Sequence, residues 1–301
     1  MQKGHSVSTV STSASPLGAI GGATETSRAA RPRSRRAARI KLVVGGVIVA
    51  TYVVLALLAP WLTSHDPTDQ DILNALQAPS ATHPLGTDEA GRDELARLLY
   101  AARIDLPIAF LVTVLPCLLG TALGVVCGYL GGWFDALVMR VSDLLQAFPT
   151  YILMIVLVFS LGHGVRSLLI AFTVVGWVVY ARLVRAEVLR IREAGYITAA
   201  RTAGFGTPRI IARHVLPNTL RQTLIYLTSD LVFAVTALAA FSFLGFGIQQ
   251  PTPEWGAMTA AAQPYMTTNM SLTVLPGLVI TVLALGFALL GDGLQDRKGN
   301  R

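Results

Sequence analysis

Six stretches of the chain are almost wholly apolar, over residues 42–62, 106–130, 136–161, 166–183, 222–246 and 270–290. At about 1.5 Å per residue, roughly 20 helical residues cover the 30 Å or so of hydrocarbon in a bilayer, so the pattern predicts membrane-spanning helices. The first stretch is uncharged throughout, the third carries Arg140 and Asp143 near its start, and the fifth is interrupted by Asp230. Residues 63–105 hold eight acids, three bases and scattered Pro and Gly, with no run long enough to cross; they belong in water outside the cell. Residues 249–269, polar, with three prolines and no Lys or Arg, fit the same side. The expected fold is all-α, a polytopic membrane protein with six transmembrane helices.

Composition agrees. Of 301 residues 53% are hydrophobic and 14% charged, against about 25% charged in an ordinary soluble domain, and the mean hydropathy is +0.57. The net charge of +7 would suggest nucleic acid only if it were spread over a folded surface. Instead residues 1–41 hold eight Lys and Arg against Glu25 alone, and the remaining 16 bases are balanced by 16 acids. Lys and Arg gather on the cytoplasmic flank of membrane helices, so the cluster from Arg28 to Lys41 places the N-terminus inside the cell and no nucleic-acid partner is expected. Residues 182–221, with eight Arg and two Glu, and the end of the chain, with Arg297, Lys298 and Arg301, read as cytoplasmic too. Six crossings satisfy all of these; four or five would put one Arg-rich end outside. The predicted layout is a disordered basic cytoplasmic tail over 1–40, a first helix over 41–62, an extracytoplasmic segment over 63–105, a five-helix core over 106–292 and a cytoplasmic tail over 293–301. The first apolar stretch begins late and has full membrane length, unlike a cleaved signal peptide.

The chemistry of self-powered transport is missing from the pattern. A phosphate-binding loop needs Lys followed by Ser or Thr, whereas Lys3, Lys41 and Lys298 precede Gly4, Leu42 and Gly299. No HExxH or GxSxG occurs, and His5, His65, His83, His163 and His214 are scattered without metal-ligand spacing, so no catalytic residue and no metal is expected. Cys117 and Cys127 stand about 15 Å apart along one predicted helix, too far for a disulfide, and read as buried small apolar residues. Gly120, Gly124, Gly128 and Gly132 recur every fourth residue, a groove where another helix backbone approaches closely; the spacing alone does not separate static packing from a moving contact or conduit. Asp143 is expected to pair with Arg140 one turn away. Asp230 has no base nearby on its own helix, so it faces a water-filled cavity or meets a partner from another helix or chain.

Between the fourth and fifth stretches the residues punctuate two short helices. Ala199, Ala200 and Ala203 give a small face, Gly204 breaks the helix, Thr207 and Pro208 start another, and Pro217 limits it. This segment, within a cytoplasmic loop over 187–221, suits docking into a groove of a cytoplasmic partner. Here the sequence resembles the inner-membrane permeases of ABC importers, whose signature is EAA, three residues, Gly, nine residues and a hydrophobic-x-Leu-Pro ending. The chain has Thr198, Ala199 and Ala200, then Gly204, then Leu216 and Pro217. Further segments resemble the C-type subunit of the peptide/nickel branch: His83, Pro84, Leu85, Gly86, Asp88, Gly91, Arg92 and Asp93 within one run, Ala147-Phe-Pro149, Ser242-Phe-Leu-Gly245, Pro251-Thr-Pro-Glu-Trp-Gly-Ala-Met258 and Leu290-Gly-Asp-Gly-Leu294.

The resemblance spans about residues 40–296. It implies a type I ABC importer permease: one transmembrane subunit paired with a homologous second permease, two cytoplasmic ATPase subunits or one fused ATPase, and an extracytoplasmic substrate-binding protein. ATP and Mg would be held by the ATPases, with no cofactor in this chain. It implies ATPase coupling through Thr198, Ala199, Ala200, Gly204, Pro208, Arg209, Leu216 and Pro217. The polar run from His83 to Asp93 is expected to dock the binding protein, and Asp143 and Asp230 are candidates for the translocation pathway. Di- or oligopeptides are the expected cargo, with nickel or a metal chelate second; a rival of another class is an autonomous ion-coupled transporter using Asp143 and Asp230, and a third is a membrane scaffold that transports nothing. Two departures stand out: Thr198 replaces the signature Glu, and Leu238 stands where the family often has Glu.

Overall fold

The computed structural model describes residues 35–299. The tail expected to be disordered lies outside the described residues up to position 34, whereas Arg35 to Ile40, expected in that tail, already belong to the first helix. The order is α1 (Arg35–Leu62), α2 (Glu94–Leu130), α3 (Gly132–Gln146), α4 (Thr150–Leu161), α5 (Val165–Arg192), α6 (Gly195–Thr202), α7 (Thr207–Ile210), a π turn (Ile211–Val215), α8 (Leu216–Phe243), α9 (Trp255–Ala262) and α10 (Met270–Gly299). The free cysteines Cys117 and Cys127 are both buried.

Several edges differ from those that hydropathy suggests. α2 starts at Glu94 instead of 106 because Asp93 caps it, accepting the Ala96 N–H at 2.7 Å, and because Arg97 in its first turn pairs with Asp88 and donates to the Pro67 carbonyl. α10 continues beyond 292 into the expected tail, where Asp292 and Asp296 accept from Lys41 Nζ at 3.1 and 3.0 Å. The third apolar stretch is not one rod. α3 and α4 meet at 91° across Ala147, Phe148 and Pro149. Proline lacks the N–H to continue α3 and steers the residue before it out of the helical region, so Pro149 becomes the N-cap of α4. An averaged hydropathy profile runs straight through such a corner.

Among the described residues, five rods are long and apolar enough to cross a membrane: α1, α2, α5, the continuous Thr207–Phe243 run and α10. Helix direction decides what the bent pair does. Gly120 lies against Trp177 and Tyr180, Gly124 against Ala181 and Val184, and Gly128 against Arg185 and Val188. The contacts advance together along both chains, so α2 and α5 run parallel. The chain leaving α2 must therefore return across the membrane before α5 begins, and only α3 and α4 lie between. α1 and α10 are antiparallel: besides the Lys41 pairs, the Tyr52 hydroxyl donates to the Val279 carbonyl at 2.7 Å. The first span thus starts on the side where the last one ends, which requires an even number of crossings. The bent pair is the sixth.

Three members of the glycine row, Gly120, Gly124 and Gly128, pack against α5 of the same chain. Gly132 stands at φ +72° at the start of α3, with open space around it. A Cβ on Gly124 would sit 2.6 Å from the Ala181 carbonyl oxygen and 2.8 Å from Val184 Cβ, so no rotamer relieves the clash. Gly124→Leu is expected to cost more than the about 1–3 kcal/mol usual for overpacking, because backbone and not a side chain must move. Leu123→Val should be tolerated. Size-exclusion profiles of detergent extracts check this; equal monodisperse yields for both variants would remove the packing argument.

Candidate functional site

Three layers carry the residues of interest. In the middle of the bundle a cavity of about 530 Å³ lies between α3, α4, α5 and α8. Apolar and aromatic groups from Tyr151, Met154 and Phe233 line it together with Gln146, Tyr226 and Ser229, and Asp230 is the only charged residue among them. Asp230 is held from behind: the buried Tyr180 hydroxyl on α5 donates to its Oδ2 at 2.8 Å, and the Tyr180 ring stands edge-on to Tyr226 at 5.0 Å. Both readings of Asp230 are thus satisfied at once, a partner on another helix and a cavity. Asp143 is different. It is exposed, pairs with Arg182 on α5 at 2.5 Å in place of the expected Arg140, and is absent from the cavity wall.

On the Arg-rich side, α6 buries Ile197 and Ala200 among Val125, Tyr129, Val184 and Val188, leaving Thr198, Ala199, Arg201 and Thr202 exposed. Its end is a Schellman turn: Phe205 N–H reaches the Ala200 carbonyl at 3.1 Å and Gly204 N–H the Arg201 carbonyl at 2.9 Å, with Gly204 at φ +82°. Nothing lies within 4 Å of a Cβ built on Gly204, so only its backbone conformation demands glycine. Beyond it Pro208 is exposed in the first turn of α7, and the Arg209 guanidinium covers the Phe205 ring at 4.5 Å. Pro217 was expected to end this second helix and does not. The chain continues as one rod because a π turn precedes it, with Leu216 N–H bonding the Ile211 carbonyl one residue further back than in an α-helix. Sequence reasoning missed Tyr129. Arg192 donates to its carbonyl at 3.2 Å and Arg201 stacks on its ring at 5.3 Å, which fastens α6 to the end of α2.

On the opposite side the run from His83 to Asp93 folds in on itself. Pro84 is exposed and His83 and Leu85 are half-buried, but Gly86, Asp88, Gly91, Arg92 and Asp93 are buried. Gly91, at φ +75°, lies so close to the Asp71 carbonyl that a Cβ would stand 1.7 Å from its oxygen. Asp88 accepts from Arg92 Nε at 2.6 Å and forms an ion pair with Arg97, whose Nε lies 3.2 Å away. The two guanidiniums carry the link outward, Arg92 to Gln250 Oε1 at 2.9 Å and Arg97 to the carbonyls of Pro67 and Pro251 at 2.9 and 3.3 Å. This knot joins the segment between α1 and α2 to the segment between α8 and α9. Arg97, one turn past Asp93 on a predicted loop, gave no sequence signal. Next to it Glu254 caps α9 through the N–H groups of Gly256 and Ala257 at 3.0 and 2.7 Å; burial pushes its carboxyl up, and those N–H groups oppose the shift. Trp255 is fully buried, its indole donating to the Leu98 carbonyl at 3.1 Å and its backbone N–H to Asp105 Oδ2 at 3.1 Å.

A six-crossing helical bundle with a largely apolar pocket that holds one carboxylate, and with a helix exposed at its Arg-rich end, has the features of a membrane transport component. Residues 120–300 match the family of binding-protein-dependent transport system inner membrane components, and residues 42–79 match the N-terminal transmembrane domain of oligopeptide transport permease C. The chain belongs to this ABC transporter permease family, a multi-pass inner-membrane family whose members work with an ATPase and a substrate-binding protein. It is 38% identical to a dipeptide transport system permease protein of Alkalihalophilus pseudofirmus over 254 residues, covering 84% of each chain. It is 36% identical over 259 residues to one of Haemophilus influenzae, covering 84% of this chain and 88% of that one. An oligopeptide transport system permease protein of Bacillus subtilis is 34% identical over 253 residues, with 84% and 83% covered.

The buried knot makes a stability prediction. Asp88→Ala would leave two buried guanidiniums without their shared carboxylate, a loss of about 3–5 kcal/mol. Purified Asp88→Ala protein should melt well below wild type and lose the loop between α1 and α2 to protease first. Asp66→Ala, at an exposed acid bonded only within its own turn, should match wild type. Identical melting of both variants would show that the knot is not structural.

Proposed function

We propose that the chain is one of two homologous permease subunits of an ATP-driven importer of di- or oligopeptides, with ATP bound and hydrolysed in separate partner subunits and both termini in the cytoplasm. The observation that carries this reading is α6: a short helix seated on the ends of α2 and α5, with its small residues Thr198 and Ala199 outward and a glycine-capped turn behind it. That is a surface through which a partner's motion is passed into the bundle. The relatives' names support peptide as cargo, and the cavity has matching chemistry, since a single carboxylate among aromatic and amide groups attracts a peptide's ammonium end. On the outer side a binding protein would meet Pro84 and the turn at Ile72 and Leu73, exposed by 76% and 95%, while the buried motif residues hold that surface in shape.

The test is uptake of a labelled dipeptide and ATP hydrolysis by the reconstituted complex. Gly204→Val forces a β-branched residue into φ > 0 and should reduce uptake at least tenfold while binding-protein docking persists. Asp230→Asn should raise the concentration of dipeptide needed for half-maximal uptake and leave the complex assembled. Wild-type uptake by both variants would sink the reading. Orientation is checked separately with single cysteines at the exposed positions Ser80 and Thr202, replacing the buried Cys117 and Cys127 by Ala. An impermeant reagent should label Ser80 in intact cells and Thr202 only after lysis; the reverse pattern would invert the topology.

A further inference from the structure

Residues 65, 83 and 93 are spread along an irregular segment, yet the fold brings their side chains together. His65 stands just after α1, its backbone N–H bonded to Thr63 Oγ1 at 3.2 Å. His83 is set by a turn in which its N–H donates to Ser80 Oγ at 3.0 Å. The two imidazole rings face each other with centroids 4.9 Å apart, and His83 Nδ1 lies 2.9 Å from Asp93 Oδ2. One donor atom from each of the three residues lies within 4.8 Å of the others. Asp93 has Oδ1 committed to capping α2 at 2.7 Å, so Oδ2 points to the histidines as a fixed donor.

We propose that His65, His83 and Asp93 form a binding site for one divalent cation of the zinc type at the extracytoplasmic end of the bundle. Two imidazole nitrogens and one carboxylate oxygen are a donor set for zinc, with the fourth position left to water. Ligand bonds of about 2.0–2.2 Å in a tetrahedron put the donors about 3.3 Å apart, so the His83–Asp93 pair already has nearly the right spacing and the His65 ring closes by side-chain rotation. The surroundings favour a cation. Residues 63–93 contain six acids and one Arg, and two facing imidazoles repel each other when both are protonated but share a metal when neutral. Coordination through His83 Nδ1 leaves its ring proton on Nε2, and no redox change is involved. None of the three residues lines the cavity that holds Asp230, so the site is separate from the cargo path. Its effect would be mechanical, since a bound ion ties the exit of the first span to the start of the second.

The full-length chain, purified without a histidine tag and stripped with chelator, is dialysed against buffered micromolar zinc and the bound metal is counted. Wild type is expected to hold about one zinc per chain and to gain melting temperature with it. His65→Phe keeps the ring contact and the His83–Asp93 hydrogen bond, so it should fold and melt like metal-free wild type, bind zinc at least tenfold more weakly and show no zinc-dependent shift. Asp93→Asn, which still caps α2, should also bind more weakly. Cobalt substitution should give the visible absorption of a four-coordinate nitrogen and oxygen site in wild type alone. Undiminished zinc affinity in His65→Phe, or no stoichiometric zinc on wild type, overturns the proposal and leaves a simple His–Asp hydrogen bond.

Discussion

The backbone contact between α2 and α5 is the constraint from which the rest follows. In a bilayer the lipid tails are as apolar as leucine, so helices gain little by hiding apolar side chains from them and associate through close packing instead. Gly120, Gly124 and Gly128 let α5 come within van der Waals reach of the α2 main chain over about two turns. Because the two helices are parallel, the intervening chain has to recross the membrane, and it does so around a right-angled corner. The corner swings α4 away from α3, and the cavity lies between these two helices, α5 and α8. The pocket is therefore a consequence of connectivity as much as of its lining residues.

The same pair of helices connects the Arg-rich end of the bundle to the pocket. Ile197 and Ala200 of α6 share one apolar cluster with Val125 and Tyr129 of α2 and with Val184 and Val188 of α5. A force on α6 consequently acts on α2 and α5 as a unit. α8 meets that unit just behind the cavity wall, where the Tyr180 hydroxyl donates to Asp230. Any shift of α8 against the parallel pair has to carry this bond with it or exchange it for a bond to whatever occupies the cavity. Two discrete arrangements of one packed element are what an alternating-access cycle requires. At the other end the Asp88, Arg92 and Arg97 knot fixes the loops to α2, so the outer surface follows the same helix.

Periodic features were legible in the sequence and tertiary ones were not. The glycine row carries a period of four and is visible as such, although the pattern could not show that Gly132 lies past the end of the helix, in a conformation with positive φ. The turn at Gly204 was readable because a helix that ends needs a residue tolerating that conformation. Hydropathy found every crossing, but it misplaced the start of α2, since Arg97 and Asp105 are satisfied within the helix by partners elsewhere in the chain, Asp88 and the Trp255 N–H. Pro149 carried the signal for the corner in α3 and α4, and averaging over apolar neighbours hid it. The pairing of Asp143 went to Arg182 on another helix, which spacing along one helix could not reveal. His65 and His83 meet through loop geometry alone, for which no spacing rule exists.

The two departures from the family pattern have different physical weight. Leu238 is buried on α8 against Asp105 and Glu254, in a crevice with room for about one water. An acid there would be a third carboxylate beside two already buried, so leucine relieves repulsion and desolvation at that point. Thr198 lies on the exposed face of α6, where no packing is lost by the exchange. What is lost is charge. With no carboxylate at the head of this helix, and with Arg201 stacked on Tyr129, a partner groove would be held mainly by shape, and an exposed ion pair would in any case contribute only about 0–1 kcal/mol. In the role proposed for α6, the small side chains of Thr198 and Ala199 would set how closely a partner can approach, and coupling would depend more on that closeness than on any single charge.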